Sequence, residues 1–416
     1  MNTNSPKTIA VYGMGYIGLP TACLFARAGH RVYGIDINEF RIIQLQKGVL
    51  PFCEPGLDEL FASVSEQMIF STQALEADVH IIAVPTPLDT EGKRADLFAV
   101  KQAAAAIAKV LRDGDKVIIE STVPPKTCVS VVTELVAHTN KNIKIAHCPE
   151  RAFTGNTLFE MIENDRIIGC EYEDRDFFTQ LYASFVKGAI HCTDALTAEC
   201  TKLLENTYRD VNVAFANEIT RISEQIGINA WEAIELANKH PRVSILQPGI
   251  GVGGHCLPID PWFLLDGGVE SKFIELCRNI NDTVPHRIAD ITLQVTQAGC
   301  TIGILGVSYK KNIGDCRETP VSGIINRLLG NNRKLQITDP FVSAFWYELS
   351  DQEQVLTSSD TIVLAMNHDR YYKIDFSKYP NIKTLVDCHN MVSSCPSSIN
   401  HVRIGIGQQI ASYLIT

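Results

Sequence analysis

No two of the 13 cysteines stand at Cys-x-x-Cys spacing, which excludes the usual zinc frameworks and the common redox motif. Met1 to Thr8 carries no charged segment followed by an apolar one, so no signal peptide is expected. No apolar run approaches membrane-spanning length. Blocks of Lys and Arg are missing and the formal net charge is −10, which argues against nucleic acid as a partner because phosphate backbones demand clustered cations. Internal repeats, low-complexity tracts and long linkers are missing too. From these absences a cytoplasmic chain without a membrane segment or a metal site is expected. Its thiols are expected to be reduced and mostly buried, Cys23, Cys200 and Cys277 among them.

What is present is a soluble globular composition, 45% hydrophobic and 20% charged. The 416 residues exceed one ordinary core, so two or three domains are expected. Thr8 to Tyr12 is a short β run, followed by Gly13-Met14-Gly15-Tyr16-Ile17-Gly18, an apolar helix pattern over Leu19 to Ala28, and a second β run, Arg31 to Ile35, closed by Asp36. The first glycine permits a tight turn, the second lets backbone meet a pyrophosphate, and the third lets helix and strand pack closely. The helix N-terminus offers free N–H groups to the phosphates. Asp36 lies near the place, about 20 residues on, of an acid that binds ribose hydroxyls, and it favours NAD over NADP.

Three further β runs end in unusual loops: Val79 to Val84 before Pro85-Thr86-Pro87, Lys116 to Glu120 before Ser121-Thr122-Val123-Pro124-Pro125, and Ile143 to Cys148 before Pro149-Glu150-Arg151. In a parallel sheet these loops share the carboxyl edge with the glycine turn, so Thr86, Thr122 and Glu150 would converge on the nicotinamide end. Prolines that merely end strands are the alternative.

From about Ala195 the pattern turns helical, with a long helix predicted over Glu199 to Ile226. Lys202, Asn206 and Asp210 recur at i, i+4 and i+8 and share one face, with Arg209 beside them. A solvated face is the ordinary explanation of such a stripe. The next segment points elsewhere. After a helical stretch over Trp231 to Lys239 comes Gly251-Val252-Gly253-Gly254-His255-Cys256-Leu257-Pro258-Ile259-Asp260-Pro261. Glycines let backbone approach a ligand closely, and a thiol in such a loop becomes a nucleophile if its pKa falls from about 8.5. Neighbouring residues in an extended loop point opposite ways, so His255 fits a structural or substrate-shaping role better than a Cys–His dyad.

More helix is predicted over Gly268 to Ala298. A second, smaller α/β domain without the glycine fingerprint comes next: strands at Thr301 to Val307, Lys334 to Thr338, Thr361 to Ala365 and Thr384 to Val386, with a helix over Pro320 to Leu329. Lys310, Lys311 and Arg317 after its first strand can pair with an anionic ligand. A solvated loop is the alternative.

The combination of Gly13-x-Gly15-x-x-Gly18, Pro85-Thr86-Pro87, Glu120-Ser121-Thr122, Pro149-Glu150-Arg151, Gly253-Gly254-His255-Cys256 and Arg317-Glu318-Thr319-Pro320 resembles the UDP-glucose/GDP-mannose dehydrogenase family of nucleotide-sugar 6-dehydrogenases. The likeness runs from Ile9 to about Asn390. Asn238-Lys239-His240-Pro241-Arg242-Val243, Gln247-Pro248-Gly249 and Asp260-Pro261-Trp262-Phe263 are similar to the amino-sugar branch. Ile259 and Thr154 stand where UDP-glucose enzymes carry a lysine and an acid, and His389 stands where many relatives carry a cation.

The resemblance implies an α/β fold of two Rossmann-like doubly wound domains joined by a helical middle domain with a long central helix. The expected bounds are 1–194 for NAD binding, 195–298 for the catalytic loop and 299–416 for the nucleotide sugar. It implies a four-electron oxidation at C6 with NAD, in which Cys256 holds the aldehyde. Lys202 and Asn206 would steady the oxyanion. Asp260 and Glu150 would move protons and activate water, which Thr122 orients. Gly13, Gly15, Tyr16, Ile17, Gly18, Asp36, Arg41, Thr86, Thr122 and Arg317 would contact NAD. The UDP-sugar would meet Arg151, Ala152, Lys202, Asn206 and Arg209, then His240, Arg242, Gly253, Tyr309 and Lys310. A homodimer through the central helix is expected. Two rival readings are a two-electron 3-hydroxyacid dehydrogenase, which leaves Cys256 and the Lys310 loop without a task, and a non-catalytic NAD-binding regulator.

Overall fold

Strand β1 (Thr8–Tyr12) is buried on both faces: Ile9 and Val11 enter one apolar cluster, Ala10 and Tyr12 another. Such continuous burial is the mark of a parallel sheet covered on each side. The computed structural model describes residues 5–139, 141–152 and 155–407, so Thr154 lies outside the described residues. The chain divides into two compact units, Met1–Glu205 with Trp262–Val269, and Asn206–Pro261 with Glu270–Thr416.

The first unit is built on an eight-stranded sheet. Its strands are β1, β2 (Arg31–Ile35), β3 (Met68–Ser71), β4 (Val79–Ile82), β5 (Lys116–Ile119), β6 (Lys144–His147), β7 (Arg166–Cys170) and β8 (Ile190–Thr193), in the order β8-β7-β6-β5-β4-β1-β2-β3. Strands β4, β5 and β6 run parallel to β1, and β7 is antiparallel to β6. The loops after β4, β5 and β6 therefore leave the sheet at the edge where the glycine turn leaves β1. That turn leads into α1 (Gly18–Arg27), whose body is almost wholly buried.

Helix α2 (Ala195–Ile226) begins one turn before the predicted Glu199, and the unit boundary falls within it. The stripe along it is not a solvated face: Lys202, Asn206 and Asp210 are all buried.

The second unit holds α3 (Ala230–Ala237), the start of the short α4 (Asp260–Leu264), α5 (Lys272–Val295) and α6 (Val321–Gly330). Predicted helix over Gly268 to Ala298 is trimmed for local reasons. Gly268 takes φ +86°, Ser271 caps α5 through its side chain, and Thr296 is extended. The sheet comprises β9 (Thr301–Leu305), β10 (Lys334–Thr338), β11 (Thr361–Leu364), β12 (Thr384–Asp387) and β13 (Asn400–Arg403), all parallel, in the order β10-β9-β11-β12-β13. Apolar clusters cover both of its faces. These are two Rossmann-like sheets.

The sheets share a turn that the sequence did not display as a repeat. In the first unit Gly13, at φ +97°, donates its N–H to the Ile35 carbonyl at 2.7 Å, and Met14 N–H reaches Asp36 Oδ2 at 2.8 Å. In the second Gly306, at φ +96°, donates to Thr338 at 2.8 Å, and Val307 N–H reaches Asp339 Oδ2 at 2.7 Å. No helix among the described residues is long and apolar enough to cross a membrane.

Candidate active site

In the first unit the glycine turn has the shape a pyrophosphate needs. A Cβ on Gly13 would lie 2.5 Å from the Ala83 carbonyl oxygen, and one on Gly18 would lie 1.9 Å from the Gly13 oxygen. A Cβ on Gly15 would meet nothing within 4 Å, so this position opens outward and leaves room for a phosphate beside the N-terminus of α1. Tyr16 stacks on Phe52 with ring centroids 4.2 Å apart. Ile17 packs against the apolar core of this unit. The Asp36 carboxylate accepts from Met14 and Asn38 backbone N–H groups and from Arg41 Nη1 at 2.9 Å. It thus braces the turn and holds Arg41 beside the place expected for ribose.

The two proline loops are tied together. Thr86 Oγ1 donates to the Thr122 carbonyl at 2.7 Å, and Ser121 Oγ donates to the Val84 carbonyl at 2.7 Å. A carboxylate from α2 fixes the far side: Glu199 accepts the N–H groups of Lys126 at 2.6 Å and Cys128 at 2.7 Å, where Lys126 takes φ +74°. Glu150, at the end of β6, is buried. Its Oε1 accepts the N–H groups of Arg151 and Ala152, both at 2.6 Å, and its Oε2 takes Arg166 Nη1 at 2.7 Å. The Arg151 side chain turns to Glu205 at 2.7 Å.

In the second unit Cys256 is exposed at the end of the glycine loop. Its carbonyl accepts the Ile259 and Asp260 N–H groups at 3.0 and 2.9 Å, a tight turn that leads straight into α4. Asp260 is buried and accepts from Asn206 Nδ2 at 2.6 Å. Two of the predicted catalytic residues are therefore joined across 54 positions of chain. The glycines before the thiol admit the chain's own packing. A Cβ on Gly253 would lie 2.7 Å from the Glu318 carbonyl oxygen and 2.8 Å from Tyr309 Cβ, and one on Gly254 would press the Tyr309 ring at 3.0 Å. Burial first, then Asp315, pushes the Tyr309 phenol up to about 12, so it is a neutral donor at ordinary pH.

The loop from Tyr309 to Arg317 is shaped from beneath. Asn312, at φ +59°, donates its N–H to His368 Nδ1 at 2.8 Å, which leaves Nε2 to carry the proton toward Asp339 at 3.2 Å. Ser308 Oγ donates to the Lys310 carbonyl at 2.9 Å. Lys311 pairs with Asp369 at 2.6 Å, and Arg317 with Asp315 at 2.5 Å. The Lys310 side chain is exposed, as are Arg209, His240, Arg242 and His255. His389 is half-buried, its Nε2 3.0 Å from the Ala365 carbonyl oxygen. Cys23 and Cys277 are buried as expected, whereas Cys200 is only half-buried and Cys53 is exposed.

The arrangement offers a dinucleotide turn in one unit and an exposed thiol beside a buried Asn–Asp pair in the other. Comparison with known proteins gives the same division of labour. The NAD-binding-domain model of the UDP-glucose/GDP-mannose dehydrogenase family matches residues 7–186, its central-domain model 196–283 and its UDP-binding-domain model 303–394. The chain belongs to the UDP-glucose/GDP-mannose dehydrogenase family. It is an NAD-dependent nucleotide-sugar dehydrogenase.

Among relatives of this dehydrogenase, the UDP-N-acetyl-D-mannosamine dehydrogenase of Methanococcus aeolicus is 42% identical over 402 residues, spanning 94% of this chain and 92% of that one. An NDP-N-acetyl-D-galactosaminuronic acid dehydrogenase of Ralstonia nicotianae is 39% identical over 411 residues, spanning 93% and 97%. The solved structure of UDP-D-ManNAc dehydrogenase from Pyrococcus horikoshii superposes with a TM-score of 0.89 at 36% identity, covering 96% of this chain and 100% of that one.

In the dehydrogenase's first unit the sequence does not reveal the partner of Glu120, which stands in the Glu120-Ser121-Thr122 motif. Arg166 and Glu120 meet at 2.9 Å with almost no exposure. The signal was an arginine opening the apolar run Ile167-Ile168 and a glutamate closing Val117-Ile118-Ile119. Lys, Glu, Arg and Asp are rarely buried unless paired, so charges inside strands announce partners without naming them.

Proposed function

We propose that this dehydrogenase oxidises the C6 alcohol of UDP-N-acetyl-D-mannosamine to the carboxylate of UDP-N-acetyl-D-mannosaminuronate. The observation that carries the chemistry is the exposed Cys256 thiol on a tight turn whose next helix begins with the buried Asp260–Asn206 pair. The names of the relatives, with the Asn238 to Val243 and Gln247 to Gly249 stretches, support the sugar. Bound NAD⁺ supplies the hydride acceptor, twice per turnover. The alcohol loses a hydride and a proton and becomes an aldehyde. Cys256 Sγ, as thiolate, adds to C6 and forms a thiohemiacetal. Loss of a second hydride, with the hydroxyl proton passing to a base, leaves a thioester. Water then adds, the C6–S bond breaks, and thiolate and carboxylate separate. In sum, alcohol, two NAD⁺ and water give carboxylate, two NADH and three protons.

Lys202 and Asn206, one helical turn apart, steady the C6 oxyanion. Asp260, held by Asn206, and Glu150 take and return protons, and Thr122 orients the water. Segments 1–194, 195–298 and 299–416 serve cofactor, catalytic loop and nucleotide sugar, a division supported by the matched family regions. The uronate product would feed surface polysaccharide such as capsule or exopolysaccharide, made from a cytoplasmic pool. A homodimer through α2 is supported by exposed Tyr208, Phe215 and Ile222, which recur at heptad spacing on one side of that helix.

The test is NADH formed per sugar consumed, with UDP-ManNAc, UDP-GlcNAc, UDP-glucose and GDP-mannose, for the wild type and Cys256→Ser. Two NADH per UDP-ManNAc, with full turnover lost in the variant, is the expected result. Two NADH from another sugar moves the specificity and keeps the mechanism. One NADH per turnover, or indifference to Cys256, overturns the thioester route.

A further inference from the structure

Glu150, the proposed water-activating residue, does not stand alone, and the role of its partner rests on that reading. Arg166, on β7, sits between two buried carboxylates. It gives Nη1–H to Glu150 Oε2 at 2.7 Å and Nη2–H to Glu120 Oε1 at 2.9 Å, with its Nε 3.2 Å from Cys148 Sγ. The guanidinium lies over the Tyr182 ring, 4.8 Å from its centroid. Tyr182 O–H and Thr21 O–H complete Glu120 at 2.7 and 2.9 Å. Thr21 belongs to α1, the helix directly after the glycine turn.

Two features mark this as more than a structural ion pair. Glu150's carboxylate is held at both oxygens, by backbone N–H groups on one and by Arg166 on the other, so its orientation is fixed. The charge count is also asymmetric, with two carboxylates and a single guanidinium, all buried. Like charges in one site cannot both stay ionised unless a cation stands between them. Burial raises the Glu120 carboxyl above its ordinary value even with Arg166 beside it. Burial also opposes charge on Arg166, but Glu150, Cys148 and Glu120 outweigh it and keep the guanidinium protonated.

We infer that Arg166 is a positioning residue for the oxidation: it fixes the orientation of Glu150 for water activation, and Glu120 is the buried counter-charge that holds Arg166 in place. Without the guanidinium, two buried carboxylates are left with no cation between them, and a proton taken up by the pair costs the site its water-activating base. Hydride transfer, which Cys256 and the cofactor turn serve, should be touched much less.

The experiment uses the full chain with NAD and the sugar that yields two NADH. Steady-state kcat and KM are followed against pH, and acylated Cys256 is measured by acid quench and mass spectrometry. For Arg166→Gln we expect kcat at neutral pH to fall about tenfold or more, the acid limb of the kcat profile to move up by about one pH unit or more, and acyl-Cys256 to accumulate. KM for NAD should change little. Arg166→Lys should recover part of the rate. Arg166→Gln/Glu120→Gln should bring the acid limb back toward the wild type, because one carboxylate no longer competes. Glu120→Gln, which keeps the cation, should move the limb down, and this reading stands even if Arg166→Gln fails to fold. An unchanged acid limb in folded Arg166→Gln, or in Glu120→Gln, overturns the proposal while leaving Glu150 in its role. Full turnover in Glu150→Gln instead overturns the role of Glu150, and the proposal with it.

Discussion

Replacing Arg278 with methionine would test whether the buried face of α2 is held by charge. Arg278, on α5, is 1% exposed, and Asp210, on α2, is 0% exposed. The guanidinium donates to Asp210 Oδ1 through Nη1 and to Asp282 through Nη2. Asn281 Nδ2 adds bonds to the Asp210 carboxylate and carbonyl, both at 2.9 Å. Methionine replaces much of the aliphatic stem and none of the charge, so Asp210 keeps a neutral amide and loses its counter-ion. Removing one partner of a buried ion pair costs about 3–5 kcal/mol, and the surviving amide argues for about 3. The unit holds about 200 residues, for which each kcal/mol lowers Tm by about 2–4 °C, so a fall of about 6–12 °C is expected. The assay is calorimetry on the full chain, reading the transition that moves. Arg278→Met/Asp210→Leu removes the stranded charge and should recover most of the loss. A fall under about 2 °C in the single variant, or a double variant less stable than the single, would refute the reasoning.

The same geometry sets three further outcomes. Burial would raise the Asp339 carboxyl, but His368 and the N–H groups of Phe341, Val307 and Ser308 hold it below its ordinary value of about 3.9. The folded pKa is therefore depressed. Its contribution should be fully present above about pH 4 and lost as pH falls through the lower folded value, and Asp339→Asn should flatten Tm against pH in that window. Gly18→Ala sets a Cβ 1.9 Å from the Gly13 oxygen, so NAD affinity by calorimetry should drop about tenfold to a hundredfold, matching an overpacking cost of about 1–3 kcal/mol. UDP affinity that fell equally would show a general loss of fold instead. Asn206→Ala removes the 2.6 Å bond to Asp260, and kcat should fall by about 10²–10³ with the protein folded; a change confined to KM would contradict its oxyanion role.

The fold was legible where its signals are local. Continuous apolar runs revealed β1, β2, β4, β5 and β6. Glycine spacing revealed the turn, and Asp36 fell where the strand–turn–helix–strand unit requires it. The long helix could be read because few breakers interrupt it. The stripe of Lys202, Asn206 and Asp210 was read only as an alternation between solvent and site, because periodicity reports which face a residue takes and not what lies against it. Asp210 meets Arg278 across 68 residues, and Glu120 meets Arg166 across 46. Such pairings are invisible to any window shorter than the chain. The glycines before Cys256 have a long-range reason of the same kind: a Cβ at Gly253 or Gly254 would press Tyr309 of the same unit.

The matched turns of the two sheets bear on redesign. Gly306 and Asp339 reproduce the strand-end geometry of Gly13 and Asp36, yet the next helix begins only at Val321, after the loop that carries Lys310 and Arg317. Grafting Gly15 and Gly18 equivalents after Gly306 would therefore not create a second cofactor pocket. An engineer would have to excise that loop so that a helix starts directly at the turn, and would lose the cations the loop presents. A glycine and an acid at the right strand ends specify a scaffold; the distance to the next helix decides its cargo.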